Sequence, residues 1–415
     1  ALNGLAVVKM AVHGVEIGAD DIAKFRALAI KACGLIDQRR SQNRLQAAHQ
    51  ALNSLETSSS AFGIVIVPYR YDPQQVISGV ASLLGTTPII GFSTTAALTK
   101  DGQHPQSVVV ALLSGDDIQA EAHWFPSYAQ SSQEISTRLL QLLDYQQRPA
   151  RSILFFADGF NGDAEQMCNG IPNHLPVVGG LASGELHIGT SFQIAGSQSG
   201  TSGLSAAFLR GNFKVGIGLG HGWQPVGPRA RITRSRGYWL RTLDGRPASE
   251  TYARLFGYPT RDWAFAPLNH LTRLYPLGLD QGTGNSDLLI RAPLRVEADG
   301  SLRMNVQMRD GSDAYVLVGI PTACKEAAEK AAQQAITALG DAKPVFALVL
   351  VDIAWQMLMQ SQPGEEIAAL QKVFGKDFPI AGGYTLGQIV PGTELTPPKF
   401  LNQQMLVIAF GTTES

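Results

Sequence analysis

Cysteine is scarce: the 415-residue chain has three, Cys33, Cys168 and Cys324, far apart and at no metal-ligand spacing. That count excludes a disulfide framework or zinc ribbon and fits a reducing, cytoplasmic compartment, where a buried thiol serves as a small apolar group. Charge is sparse too, at 16% of residues with a formal net of −1, so no whole-molecule field draws nucleic acid or anionic lipid. No run approaches the roughly 18–20 continuous apolar residues of a membrane span, and no basic-then-apolar leader predicts secretion. The histidines form no His-x-x-x-His or Cys-x-x-Cys-His pattern, and no metal site is expected. Neither a Gly-x-Ser-x-Gly elbow nor a Gly-x-x-x-x-Gly-Lys-Ser/Thr loop occurs. Gly216-Ile-Gly218-Leu-Gly220 has the wrong spacing for a dinucleotide turn and reads as a strand passing close to a neighbour. The expectation is a chain without enzymatic activity or cofactor.

What is abundant is apolar sequence, 45% of residues, punctuated by 43 glycines and 22 prolines. Helical spacing of Ile22, Phe25, Leu28, Ala29 and Ala32 predicts a helix from Asp20 to about Leu55. Beyond it, β-branched runs alternate with helical stretches, the α/β pattern. One unit recurs three times: Pro88-Ile-Ile-Gly-Phe-Ser-Thr94, Pro176-Val-Val-Gly-Gly-Leu-Ala182 and Pro379-Ile-Ala-Gly-Gly-Tyr-Thr385. Each copy follows a strand (Ile64 to Val67, Ile153 to Phe156, Phe346 to Val351) and a helical segment. Each precedes a second strand (Val108 to Leu113, Ser205 to Leu209, Met405 to Phe410). The predicted fold is therefore α/β with mixed sheets flanked by helices, built on strand, helix, strand, glycine turn, strand units. Between the second and third units, Leu288 to Val296, Leu302 to Met308 and Tyr315 to Val318 read as a meander, joined through Asp299-Gly300 and Asp310-Gly311. Ala323 to Leu339 reads as an amphipathic helix stopped by Gly340. Arg229, Arg231, Arg234 and Arg236, then Arg241 and Arg246, read as the wet face of an alternating strand.

The glycine pairs Gly179-Gly180 and Gly382-Gly383 support two readings: N–H groups cradling an anion, or close packing of repeated strands. Ser183, Tyr384 and Thr385 beside them supply hydroxyls or form turns. Asp158, at a strand end comparable to that of Asp352, either grips a ligand ammonium group or caps a helix. Trp223 is a ligand wall or a plug between domains, and His221 is structural or a haem ligand.

Three motifs in order carry a resemblance. Leu175-Pro-Val-Val-Gly-Gly-Leu-Ala182, His221-Gly-Trp-Gln-Pro-Val-Gly227 and Leu243-Asp-Gly-Arg-Pro-Ala248 resemble segments of the FIST N-terminal domain. Tyr275-Pro-Leu-Gly278 and Pro379 to Ile389 resemble the FIST C-terminal domain, with Gly387-Gln388 where that family commonly has Gly-Glu. The resemblance covers roughly residues 60 to 412 and implies a first domain over 58–250 and a second over 251–415, preceded by an N-terminal strand and helical segment over 1–57 that it does not cover. It implies a bacterial-type sensory protein binding a small ligand, such as an amino acid, and signalling through a partner such as a kinase or cyclase. The residues weighed above predict a site comprising Asp158, Gly179, Gly180, Ser183, Trp223, Gly382, Gly383, Tyr384 and Thr385. Two alternatives stay open: a haem-based nitric-oxide sensor using His221, and a ligand-free interaction scaffold.

Overall fold

The computed structural model describes residues 4–9 and 60–412, apart from 116–117, 147–148, 187, 267 and 282–287. The helix expected from Asp20 to Leu55 lies outside the described residues, as does Cys33. A strand, β1 (Gly4–Lys9), precedes the repeats.

The first repeat opens with β2 (Ser60–Pro68), whose β-branched run is buried on both faces. Helix α1 (Pro73–Leu84) starts where the Asp72 carboxylate accepts from Gln75 N–H at 2.9 Å and stops at Gly85. Strand β3 (Ile89–Thr94), a small hairpin β4 (Ala97–Thr99) and β5 (Gly102–His104), β6 (Val109–Ser114) and β7 (Gln119–Phe125) follow. The second repeat has α2 (Ser132–Gln146), β8 (Ser152–Asp158), α3 (Ala164–Asn169) and β9 (Val177–Ala182). It ends with β10 (Gln193–Ala195), β11 (Gln198–Gly200) and β12 (Leu204–Arg210).

Next come β13 (Lys214–Gly220) and the long β14 (Trp223–Arg236), then β15 (Trp239–Leu243), β16 (Arg246–Pro247) and α4 (Ala248–Phe256). A short helix α5 (Leu268–Leu271) leads into β17 (Leu277–Asp280), β18 (Leu288–Arg291), β19 (Pro293–Val296), β20 (Leu302–Met304) and β21 (Asp313–Gly319). The third repeat has α6 (Pro321–Leu339), β22 (Lys343–Asp352), α7 (Ile353–Leu358), α8 (Glu365–Phe374), β23 (Ile380–Val390), β24 (Lys399–Leu401) and β25 (Met405–Thr412).

In all three repeats the leading strand pairs parallel with the glycine-bearing strand, β2 with β3, β8 with β9 and β22 with β23. The leading strand also pairs antiparallel with the closing one, β2 with β6, β8 with β12 and β22 with β25. The mixed α/β units are as expected, with one correction: the glycine segments are strand interiors, not turns. The first glycine of each lies opposite an equivalent partner, Gly91 with Val65, Gly179 with Phe155 and Gly382 with Val349. A Cβ there would meet the partner's carbonyl oxygen, and would sit 3.1, 2.7 and 2.8 Å from its carbonyl carbon. Glycine is required because the two backbones approach too closely for any side chain, which is the packing reading.

Among the described residues three sheets form. One runs β1-β6-β2-β3-β10-β11, and the meander sheet runs β18-β17-β21-β14-β15-β20-β19. The central sheet runs β13-β25-β22-β23-β9-β8-β12-β7, so three strands of the second expected domain are inserted between β13 and β9 of the first. At its margin, glycines 216, 218 and 220 of β13 press against α6, where a Cβ would come within 3.0, 2.7 and 2.9 Å of the carbonyl carbons of Ala335, Ala331 and Ala327. This is the close strand passage that the glycine spacing predicts.

Candidate functional site

The repeats bring their glycine strands together at the centre of the molecule. The Ser93 hydroxyl donates to Ser183 O at 2.7 Å, the Ser183 hydroxyl to Tyr384 O at 2.5 Å, and Tyr384 N–H to Thr94 Oγ1 at 2.8 Å. The Tyr384 hydroxyl donates to the buried Glu366 carboxylate, whose pKa burial raises. Ala182 lies opposite both Asp158 and Thr385, so most residues of the expected site do gather here: Asp158, Gly179, Gly180, Ser183, Gly382, Gly383, Tyr384 and Thr385. All are buried, and the polar groups of Asp158, Ser183, Tyr384 and Thr385 bond to the protein itself.

Trp223 and His221 lie apart from this hub. The Trp223 indole packs on Trp355 at 6.1 Å between ring centroids and donates to Leu274 O at 3.3 Å. His221 is exposed, with Nδ1 accepting from Trp223 N–H at 3.3 Å. An exposed imidazole is not the enclosed setting in which a histidine holds haem iron, so His221 as placed does not fit that group. Beside Trp355, Asp352 caps α7 through Ala354 N–H at 3.1 Å and accepts from Gln403 N–H at 2.9 Å. Burial raises the pKa of Asp352 and lowers that of Arg273, and each charge opposes the other's shift. Burial likewise pushes the Cys324 thiol up to about 12 and raises that of Cys168. Neither thiol is a ready nucleophile.

A polar cleft of about 370 Å³ opens just beyond the end of β8. Its walls are residues 129–133 at the start of α2, residues 161–163 and Gln166 at the start of α3, and Tyr238 and Arg303 from the meander sheet. Asp158 builds one wall from beneath, accepting from Phe160 N–H and Asn161 Nδ2, both at 2.9 Å, and from the Ser191 hydroxyl at 2.8 Å. It therefore acts as a turn former that fixes Asn161 at the cleft. Gly162 adopts φ 91°, and a Cβ there would lie 2.9 Å from Tyr128 Cδ1.

Asp163 caps α3, accepting from Gln166 N–H at 2.8 Å, and also accepts from the Tyr238 hydroxyl at 3.0 Å. Its own N–H donates to Ser132 Oγ at 2.8 Å, which ties the two helix starts together. Burial, then the Asp163 charge, pushes the Tyr238 phenol up to about 12. Arg303 lies over the Tyr238 ring at 4.7 Å and the Trp239 ring at 4.3 Å, and its Nη1 is a buried donor without a protein partner. Under the floor, the Tyr128 hydroxyl is also unpartnered and fully buried, within electrostatic reach of Asp163 and Tyr238. The cleft thus offers a guanidinium, a carboxylate, a phenol and several amides, a set suited to a small molecule carrying both donors and acceptors.

Asp163 is legible in sequence as a helix cap after a strand. Tyr238 and Arg303 carry no local signal, because they reach the cleft from a different sheet. Among the described residues no group of three or more His, Cys, Asp and Glu side chains could hold a metal ion, and no helix is long and apolar enough to cross a membrane.

Comparison with known proteins bears on this architecture. Over 87 residues the chain is 28% identical to an uncharacterized protein of Methanocaldococcus jannaschii, a match spanning 21% of this chain and only 17% of that relative's length. Against a chorismatase crystal structure the TM-score is 0.36 at 11% identity, covering 85% of this chain and 93% of the other. Against PurLQS from Thermotoga maritima it is 0.18 at 8% identity, covering 86% and 67%. Both scores are too low to indicate a shared fold. The family models are decisive: the FIST N domain matches residues 61–246 and the FIST C domain residues 248–391. The chain belongs to the FIST family, whose domains serve sensing and signal transduction.

Proposed function

We propose that this protein senses a small polar metabolite, an amino acid or a close relative, which binds in the cleft between α2, α3 and the meander sheet. The observation that carries the reading is the composition of that cleft. Arg303 presents a buried, unpartnered donor for a carboxylate, while Asp163 and the amides of Asn161 and Gln166 stand opposite for an ammonium group or hydroxyls. The volume of about 370 Å³ is at the small end of ligand sites. Arg303 comes from the FIST C region, whereas α2, α3 and Tyr238 belong to the FIST N region. A ligand that bridges them favours the closed arrangement, and that population shift is the signal passed to a partner protein.

Binding without turnover fits the chemistry. The Tyr238 phenol, pushed up to about 12, stays protonated near neutrality and donates a hydrogen bond rather than serving as a base. Each Asp163 oxygen already accepts one hydrogen bond, from Gln166 N–H or from Tyr238, which holds the carboxylate in place while its remaining lone pairs can accept from a ligand. A cytoplasmic setting completes the proposal, consistent with Cys168 and Cys324 being free thiols.

The test is a thermal-shift screen with amino acids and small hydroxy acids, followed by calorimetry on any hit. A ligand at about 100 times its dissociation constant stabilises the native state by about 2.7 kcal/mol. The reading expects one chemical class to raise the melting temperature and Arg303→Met to abolish that shift. A hit whose affinity Arg303→Met and Tyr238→Phe both leave unchanged would place the site elsewhere.

A further inference from the structure

The cleft leaves the arginine run of β14 unexplained. Arg229, Arg231, Arg234 and Arg236 are all exposed. Arg229 pairs with Asp313 at 3.1 Å, but among the described residues Arg231, Arg234 and Arg236 form no ion pair. Register carries this basic row across the sheet: Arg236 lies opposite Trp239, and Trp239 opposite Arg303. Trp239 is 38% exposed, which leaves part of a large apolar ring open to solvent at the end of the row. Arg303 stacks over it at 4.3 Å while also lining the cleft. One side chain therefore touches both the cleft and the exposed face.

We infer that the exposed face of β14, β15 and β20 docks an acidic protein surface, and that Arg303 makes this docking sensitive to cleft occupancy. Arginine and tryptophan are the residue types that anchor protein interfaces, and unpaired guanidinium groups select carboxylates. A nucleic-acid backbone is the poorer fit. Asp244, Asp299, Asp310 and Asp313 are interleaved with the arginines, and Asp310 accepts from Ser235 N–H in the middle of the row. Continuous phosphate neutralisation needs an unbroken positive track. The chain's net charge of −1 supplies no longer-range pull. A partner protein instead meets local charges pair by pair, with Trp239 as the apolar centre.

The coupling half rests on the cleft being the ligand site. A bound carboxylate drawing on Arg303 changes how the guanidinium sits against Trp239. The docking half needs no ligand and is tested without one. The intact chain is titrated into a fluorescein-labelled, Glu- and Asp-rich peptide of about 15 residues containing one Leu-Phe pair, and into an oligothymidylate of equal length, with binding read by anisotropy. The expected result is acidic-peptide binding that weakens several-fold from about 50 to 200 mM salt. The double variant Arg234→Glu, Arg236→Glu should weaken it at least about tenfold and Trp239→Ala at least about threefold, with unchanged melting temperatures. Absence of peptide binding at low salt, preference for the oligonucleotide, or indifference to the charge reversal overturns the docking face. If the charge reversal weakens binding but Arg303→Met leaves peptide affinity unchanged, docking stands and the coupling through Arg303 is refuted.

Discussion

Replacing Gly382 by alanine separates two views of the repeated glycines: anion cradle or enforced strand contact. The new Cβ would press on the Val349 carbonyl oxygen and sit 2.8 Å from its carbonyl carbon and 3.1 Å from its nitrogen. All three are main-chain atoms, so no rotamer change relieves the overlap. The parallel pair β22–β23 would have to open by roughly 1 Å at a buried point of the central sheet, an overpacking cost of about 1–3 kcal/mol. Weakening one or two ladder hydrogen bonds adds about 0.5–1.5 kcal/mol each. Together these give about 1.5–6 kcal/mol, or a fall in melting temperature of roughly 2–7 °C for a chain of this size. Gly179→Ala, 2.7 Å from the Phe155 carbonyl carbon, should behave alike. The internal control is Gly180→Ala, whose Cβ would meet Gly387 O at 3.1 Å and side-chain atoms of Leu350 and Thr385 at 3.2 Å. Those side chains can give way, and the expected loss is about 1 kcal/mol or less. Thermal and urea melts of the three variants decide the matter. If Gly382→Ala melts within a degree of the unsubstituted protein, the strand-contact argument fails.

Two further predictions concern buried charge. The Tyr238 phenol is raised from its ordinary value near 10 to about 12, so the folded state favours its neutral form. The resulting stability is full below pH 10 and is lost as pH rises toward 12. Difference absorbance near 295 nm between the protein and Tyr238→Phe should show no phenolate from this residue below about pH 11, and its appearance near pH 10 would refute the buried contact with Asp163. Arg273→Met removes the buried cation whose charge opposes the upward pKa shift of Asp352, so the variant should lose stability at neutral pH and recover it as pH falls and Asp352 protonates; a urea midpoint insensitive to pH in this variant would count against that electrostatic coupling.

Much of the fold was legible where the chemistry is local. The leading strands stand out because Ile64 to Val67, Ile153 to Phe156 and Phe346 to Val351 are continuous apolar runs, and all are fully buried. Helix α6 announces itself through Pro321 at its start, its alanines and the positive φ of Gly340 at its end. Gly-Gly suggests a turn on propensity alone, yet Gly179-Gly180 and Gly382-Gly383 lie in strands, because tertiary pairing outweighs local freedom. Strand order was not legible. Nothing near Val177 shows that β9 will pair with β23, some 200 residues later. The site was half legible for the same reason. Asp158 and its loop lead to the cleft, but Tyr238 and Arg303 arrive by sheet packing that leaves no mark in their own segments.

The insertion of β25, β22 and β23 between β13 and β9 in the central sheet also has a consequence in time. β13 finds its ladder partner only in β25, with Gly220 facing Met405, about 185 residues further along the chain. At roughly 5–20 residues per second of synthesis, that edge waits on the order of ten to forty seconds for its neighbour. β9 likewise waits for β23. The FIST N region therefore cannot close its own sheet as it emerges, although its sequence can be delimited at residue 246. During that interval Val215, Ile217 and Leu219 present an unpaired apolar edge, the kind of surface that recruits chaperones or mispairs with a neighbouring nascent copy.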